Sequence, residues 1–137
     1  MNEGTFKRYV IDQCTKKHGL YHHSNTFASR SGKGLPDSYF DGAYDLWVEW
    51  KFLAHMPRDY LVGGIDDKKR GCYSTKQFAW LKRRWEARGN AWGIVGLPNR
   101  TAVIQADPVD WEHKSTVDSA IPWSDVAARI KAFCAGA

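Results

Sequence analysis

Leu46, Val48, Trp50 and Phe52 alternate with Trp47, Glu49 and Lys51, the period-two pattern of a strand with one buried face. Glu49 and Lys51 therefore project side by side from the opposite face. Upstream, Ser38-Tyr39-Phe40 reads as a second short strand, and Asp41-Gly42 begins a connection with hairpin chemistry. Pairing Phe40 with Leu46 sets Asp37, which follows Pro36, across from Glu49. Directly opposed residues hold their Cβ atoms about 4.5–5.5 Å apart, close enough for two carboxylates to share one hard cation.

The remaining pattern predicts three helices and three more strands. Phe6, Tyr9, Val10 and Cys14 form an apolar stripe over residues 3–18, and Gly19 supplies a stop. Residues 20–28 have strand character that His22-His23-Ser24-Asn25 weakens. A long connection, about 53–73, leads to the clearest helix, opened by the Ser74/Gln77 capping-box spacing. Phe78, Leu81 and Trp85 would be its buried stripe and Gly89 its end. Strands over 91–97 and 101–105 follow, joined through Pro98-Asn99-Arg100. A last helix over 123–135 would bury Val126, Ile130 and Phe133. The order αβββαββα predicts one α/β domain, a mixed central sheet flanked by helices. No internal repeat, low-complexity tract or domain linker interrupts it.

Composition narrows the class. The chain has 137 residues, 43% hydrophobic content and seven Trp, which argues for a folded globule and against disorder. A net charge of +5 suits a polyanionic partner. The cations gather in three places: Arg30 and Lys33 before Pro36, Arg58 with Lys68-Lys69-Arg70 in the long connection, and Lys76, Lys82, Arg83, Arg84 and Arg88 on the second helix. Each is a candidate phosphate contact; the loop clusters read equally as solvated surface. The opening residues lack a signal-peptide core, and no run approaches membrane-spanning length, so no membrane role is expected. Cys14, Cys72 and Cys134 show neither disulfide nor zinc spacing, which fits a reducing cytoplasm.

The acids and lysine change the picture most. Mg²⁺ takes oxygen ligands and keeps several waters, so one or two carboxylates suffice to hold it. Such an ion polarises a phosphoryl oxygen and activates water, while a neighbouring lysine steadies the charge that grows on the phosphate. Competing chemistry is thin: Ser31-Gly32-Lys33-Gly34 lacks the remaining P-loop residues, and the histidines lack the hairpin-helix setting of ββα nucleases. Asp66-Asp67 read as loop charges.

Asp37, Glu49 and Lys51 resemble the motif of the PD-(D/E)XK nuclease superfamily, whose restriction-endonuclease-like core has this element order. Gly34-Leu35-Pro36-Asp37, Val48-Glu49-Trp50-Lys51 and Ser74-Thr75-Lys76-Gln77 together look like the small virus-type replication-repair (VRR-NUC-like) nucleases and bacteriophage Holliday junction resolvases. The resemblance implies Mg²⁺, with Mn²⁺ as a substitute, held by Asp37, Glu49 and the Trp50 carbonyl. It points Gln77 toward the site, a role that competes with its capping work. It places Glu3 where several branches supply a further metal-binding glutamate, although a solvated helix-start glutamate is the favoured reading. The implied function is an endodeoxyribonuclease acting on branched DNA in the cytoplasm, a bacterial host's if the chain is phage-encoded. Two cuts in opposed strands would make it a homodimer. The alternatives are a less selective endonuclease or nickase, or a non-catalytic nucleic-acid-binding or inhibitor protein.

Overall fold

Asn2 opens the first helix, its side chain accepting the Thr5 N–H at 2.9 Å, and a computed structural model describes residues 2–24 and 34–136. Arg30, Lys33 and the second half of the strand expected over 20–28 lie outside the described residues. Helix α1 (Glu3–Asp12) passes into a π-type turn (Gln13–Lys17) and ends at Gly19, whose φ of 69° needs no Cβ. Strands β1 (Tyr21–Ser24), β2 (Ser38–Asp41) and β3 (Leu46–Phe52) form an antiparallel meander. The chain then crosses through β4 (Leu61–Gly63) and helix α2 (Thr75–Arg88) to β5 (Ala91–Gly96), which runs parallel to β3. Strand β6 (Thr101–Gln105), helix α3 (Pro108–Glu112), β7 (Lys114–Thr116), β8 (Ile121–Pro122) and helix α4 (Trp123–Cys134) complete the order.

The main sheet is six-stranded, in the order β1-β2-β3-β5-β6-β8, and mixed because the β3/β5 pair alone is parallel. Helices α1 and α4 cover one face, burying Phe6, Val10, Leu46, Val48, Trp50 and Ile130 together. The other face lies under α2, α3 and a two-stranded sheet of β4 and β7. Two smaller apolar clusters fill that side, one around Tyr73, Leu81 and Trp111 and one around Val62, Val95 and Leu97. Both faces of β3 are thus covered. That is why Glu49, on the polar side of the alternation, is only 3% exposed.

Three expectations need correcting. Trp85 is exposed, and Leu81 is the buried residue of α2, because the helix turns Gln77, Trp80 and Arg84 toward the sheet. Phe133 packs at the margin of the core against Trp92 at 5.4 Å, while Trp123, Ala127 and Cys134 take the deep positions. The long connection after β3 carries structure of its own. It contributes β4, whose partner β7 is distant in sequence, and Ile65 bridges Tyr73. Asp67 is more than a loop charge: its carboxylate accepts the Thr75 N–H at 2.7 Å and hydroxyl at 2.8 Å, tying the connection to the start of α2.

Candidate active site

Strand register brings the acids together. Phe40 pairs with Leu46, Tyr39 with Trp47 and Ser38 with Val48, and one further step sets Asp37 opposite Glu49. Gly34, at φ +75°, delivers the segment before Asp37 onto the first turn of α2, where a Cβ would collide with the Lys76 carbonyl and the Gln77 nitrogen. Only glycine allows that approach. On the other side of β3, Glu49 faces Gly93 of β5. A Cβ on Gly93 would collide with the Tyr73 hydroxyl, so the glycine makes room for a fully buried tyrosine beneath the site. The Tyr73 hydroxyl donates to Gln105 Oε1 at 2.6 Å, and Gln105 Nε2 donates onward to Ser115 Oγ at 2.9 Å.

The electrostatics of this cluster are frustrated. Glu49 Oε2 lies 3.5 Å from Lys51 Nζ, while Oε1 is buried with no hydrogen-bond partner. Burial, followed by the nearby Asp37 charge, pushes the Glu49 carboxyl up to about 8; Lys51 opposes the rise and Glu3 adds to it. Partial burial and Asp37 also raise Glu3. Glu3 is solvent-exposed at the start of α1 and lines the cleft beside the cluster. Lys51 donates to Gln77 Oε1 at 2.9 Å, and the same oxygen accepts the Ser74 N–H at 3.0 Å. The capping box and the lysine contact therefore coexist on a single amide.

These residues fit a hard divalent cation. A buried carboxylate oxygen without a donor, beside a second and third acid, is the arrangement a cation would relieve. Among the described residues no three acid, histidine or cysteine side chains close into a ready-made cage. Trp50 is anchored on the core face by its Nε1–H donating to Ser38 Oγ at 2.8 Å. Ser38 Oγ also meets His22 Nε2 at 2.8 Å, and burial pushes that imidazole down to about 4, so the ring is neutral and its tautomer sets which of the two donates. This bond fixes the part of β3 that would present the Trp50 carbonyl.

A cleft of about 840 Å³ opens beside the cluster, lined by Glu3, Lys51 and Gln77 and by Lys69 and Arg70 of the connection. Lys68, Lys76 and Arg83 lie outside the buried core, Lys76 on the first turn of α2 and Arg83 farther along it. Sequence reasoning missed Tyr73, Gln105 and Gly93. A glycine inside the buried run Ala91-Trp92-Gly93-Ile94-Val95 was the available signal, since strand glycines mark close approaches.

No protein-family profile matches the chain. Over 67 residues it is 34% identical to the alkaline phosphatase-like protein BrxZ of Escherichia coli O9:H4 (strain HS), a match that takes in 44% of this chain and 8% of the relative. The chain thus spans a small part of that curated protein's length. Its fold is similar to the 1.6 Å structure of Archaeoglobus fulgidus Hjc, a Holliday junction resolvase from an archaeal hyperthermophile, with a TM-score of 0.54 and 16% identity over 90% of this chain and 98% of that one. The chain has a restriction-endonuclease-like α/β fold, with Asp37, Glu49 and Lys51 at the strand pair on which its candidate site is built.

Proposed function

We propose that this protein is a divalent-metal-dependent endodeoxyribonuclease of the PD-(D/E)XK type, acting on branched DNA as a homodimer. The observation that carries the reading is the buried, unpartnered Oε1 of Glu49, opposite Asp37 and beside a lysine held in place by Gln77. Asp37 and Glu49 would hold Mg²⁺ or Mn²⁺ with the Trp50 carbonyl, and Glu3 is poised to join them. The ion, when bound, supplies Lewis acidity toward the phosphoryl oxygen and the attacking water. Lys51 places a positive charge where the phosphate gains negative charge during in-line displacement. Gln77 limits the lysine's freedom and so reduces the cost of orienting it at reaction. Lys69 and Arg70 stand in the cleft where the nucleic-acid backbone would approach.

The fold shared with a solved junction resolvase supports the preference for branched substrates, and a two-fold dimer would supply the second cut. Purified protein with Mg²⁺ is expected to cut a labelled four-way junction faster than linear duplex or single strand. Asp37→Ala, Glu49→Ala and Lys51→Ala should each lose at least about two orders of magnitude with an unchanged circular dichroism spectrum. EDTA-resistant cleavage by the wild type would falsify the metal-dependent mechanism. Equal rates on all substrates would leave a less selective endonuclease.

A further inference from the structure

The face of β3 that carries Glu49 and Lys51 continues past them to Trp47, two residues and about 6.6 Å along the strand from Glu49. Trp47 packs on Tyr39, its partner in β2, at 4.7 Å between ring centroids, and edge-on against Trp80 of α2 at 5.1 Å. His23 extends the row, 5.6 Å from Tyr39. The Arg84 guanidinium lies over both indoles, 5.8 Å from Trp47 and 5.7 Å from Trp80. Helical spacing puts Gln77, Trp80 and Arg84 on one face of α2, so Gln77 meets Lys51 and Trp80 meets Trp47 along the same strand. Tyr39, Trp47, Trp80 and Arg84 are all half-buried. A hollow of about 290 Å³ opens beside them, lined by Trp80, Arg83, Arg84 and Ala87.

We propose that this aromatic–arginine row is a subsite for an unpaired base of the nucleic-acid strand whose phosphate lies at Glu49 and Lys51, an inference that rests on the nuclease reading of that site. Bases in a duplex remain inside their own stack, so an aromatic surface one nucleotide from the catalytic acids serves a strand that has left it. The row lies at the edge of the core: Trp50, Trp92, Trp111 and Trp123 fill the buried clusters, while Trp80 packs against one of them and stays half-buried. Arg84 marks the indole faces as open to a flat or cationic partner. A base entering the row takes the guanidinium's place, and Arg84, with Arg83 beside it, turns to the adjoining phosphate. This would give selectivity for junctions and flaps a structural source within one protomer.

Binding measured in EDTA tests the subsite without any need for cleavage. Binding to wild type should quench further a single strand carrying 2-aminopurine, and the same sequence as a plain duplex, already quenched by its own stacking, should change little on binding. Trp80→Ala should weaken single-strand binding roughly tenfold while leaving duplex affinity and the salt slope unchanged. Trp80→Phe, which retains an aromatic face, should restore most of it. If Trp80→Ala lowers the melting temperature, Trp80→Leu keeps the apolar bulk without the π-face and should show the same single-strand defect. Equal weakening on both substrates, no weakening on either, or a changed molecular mass in light scattering with single-strand preference intact would overturn the proposal. The last result would assign the row to contact with a second copy of the chain. A wild type that binds and quenches as expected but never cleaves would sink the nuclease reading instead.

Discussion

The two faces of β3 are both covered by other elements, and they differ in how their polar atoms fare. On the core face, Leu46, Val48 and Trp50 lie in the large apolar cluster, and the one polar side-chain atom among them, Trp50 Nε1, is satisfied by Ser38. On the other face, Glu49 keeps an oxygen without a donor and shares its surroundings with Asp37 and Glu3. A buried unsatisfied polar group ordinarily costs about 1–3 kcal/mol, and more when charged. Such a conflict in an otherwise consistent strand marks a place shaped for something other than stability. One face holds the fold together, and the other buries a carboxyl whose ionised form the surroundings disfavour.

The sharpest way to break the comparison is to truncate each face in turn. Trp50→Ala should destabilise the protein by about 3–5 kcal/mol, as expected for emptying a large buried aromatic site, read as a lower denaturation midpoint. Glu49→Gln should do the reverse above neutral pH. Folded Glu49 titrates near 8 instead of 4.5, so the native state binds the proton more tightly and wild-type stability falls as pH rises between those values. The substitution removes that loss, and its stability advantage should grow with pH to the order of 5 kcal/mol in alkaline buffer. On the proposed metal-dependent reading Mg²⁺ would displace the same proton, so its affinity for the wild type should rise with pH toward 8 and be weak in the variant, as calorimetry can show. A melting difference independent of pH would mean that Glu49 is ionised and solvated in the native state.

Gln77 joins the site to the helix that covers it, and its two jobs separate in substitution. Gln77→Ala should cost about 1 kcal/mol by removing half of the capping box and lower the cleavage rate about tenfold by freeing Lys51. If stability falls while the rate stays unchanged, the bond to Lys51 has no part in the chemistry. The smallest expected effect belongs to the exposed cations. Replacing Lys68, Lys69 and Arg70 with alanine should flatten the salt dependence of duplex binding by roughly 0.9 for each phosphate no longer neutralised, with Mg²⁺ affinity preserved. An unaltered slope would place the DNA away from this wall of the cleft.

What the sequence determined by itself is local. The alternation over residues 46–52, the hairpin register that faces Asp37 with Glu49, the Ser74/Gln77 capping box and the glycine stops at Gly19 and Gly89 all depend on neighbours close along the chain. Their physics is legible in spacing alone. What only the tertiary structure decided depends on distant partners. Strand β4 is three residues long and exists because β7 pairs with it. Which way α2 rolls, exposing Trp85 and turning Trp80 onto Trp47, depends on its docking against the sheet. The burial of Glu49, and with it the carboxylate oxygen left without a donor on which the candidate site rests, comes from Tyr73 and α2 closing over a face that alternation marks simply as polar. Hydrophobic period reports which residues share a side of a strand; only packing decides whether water is there.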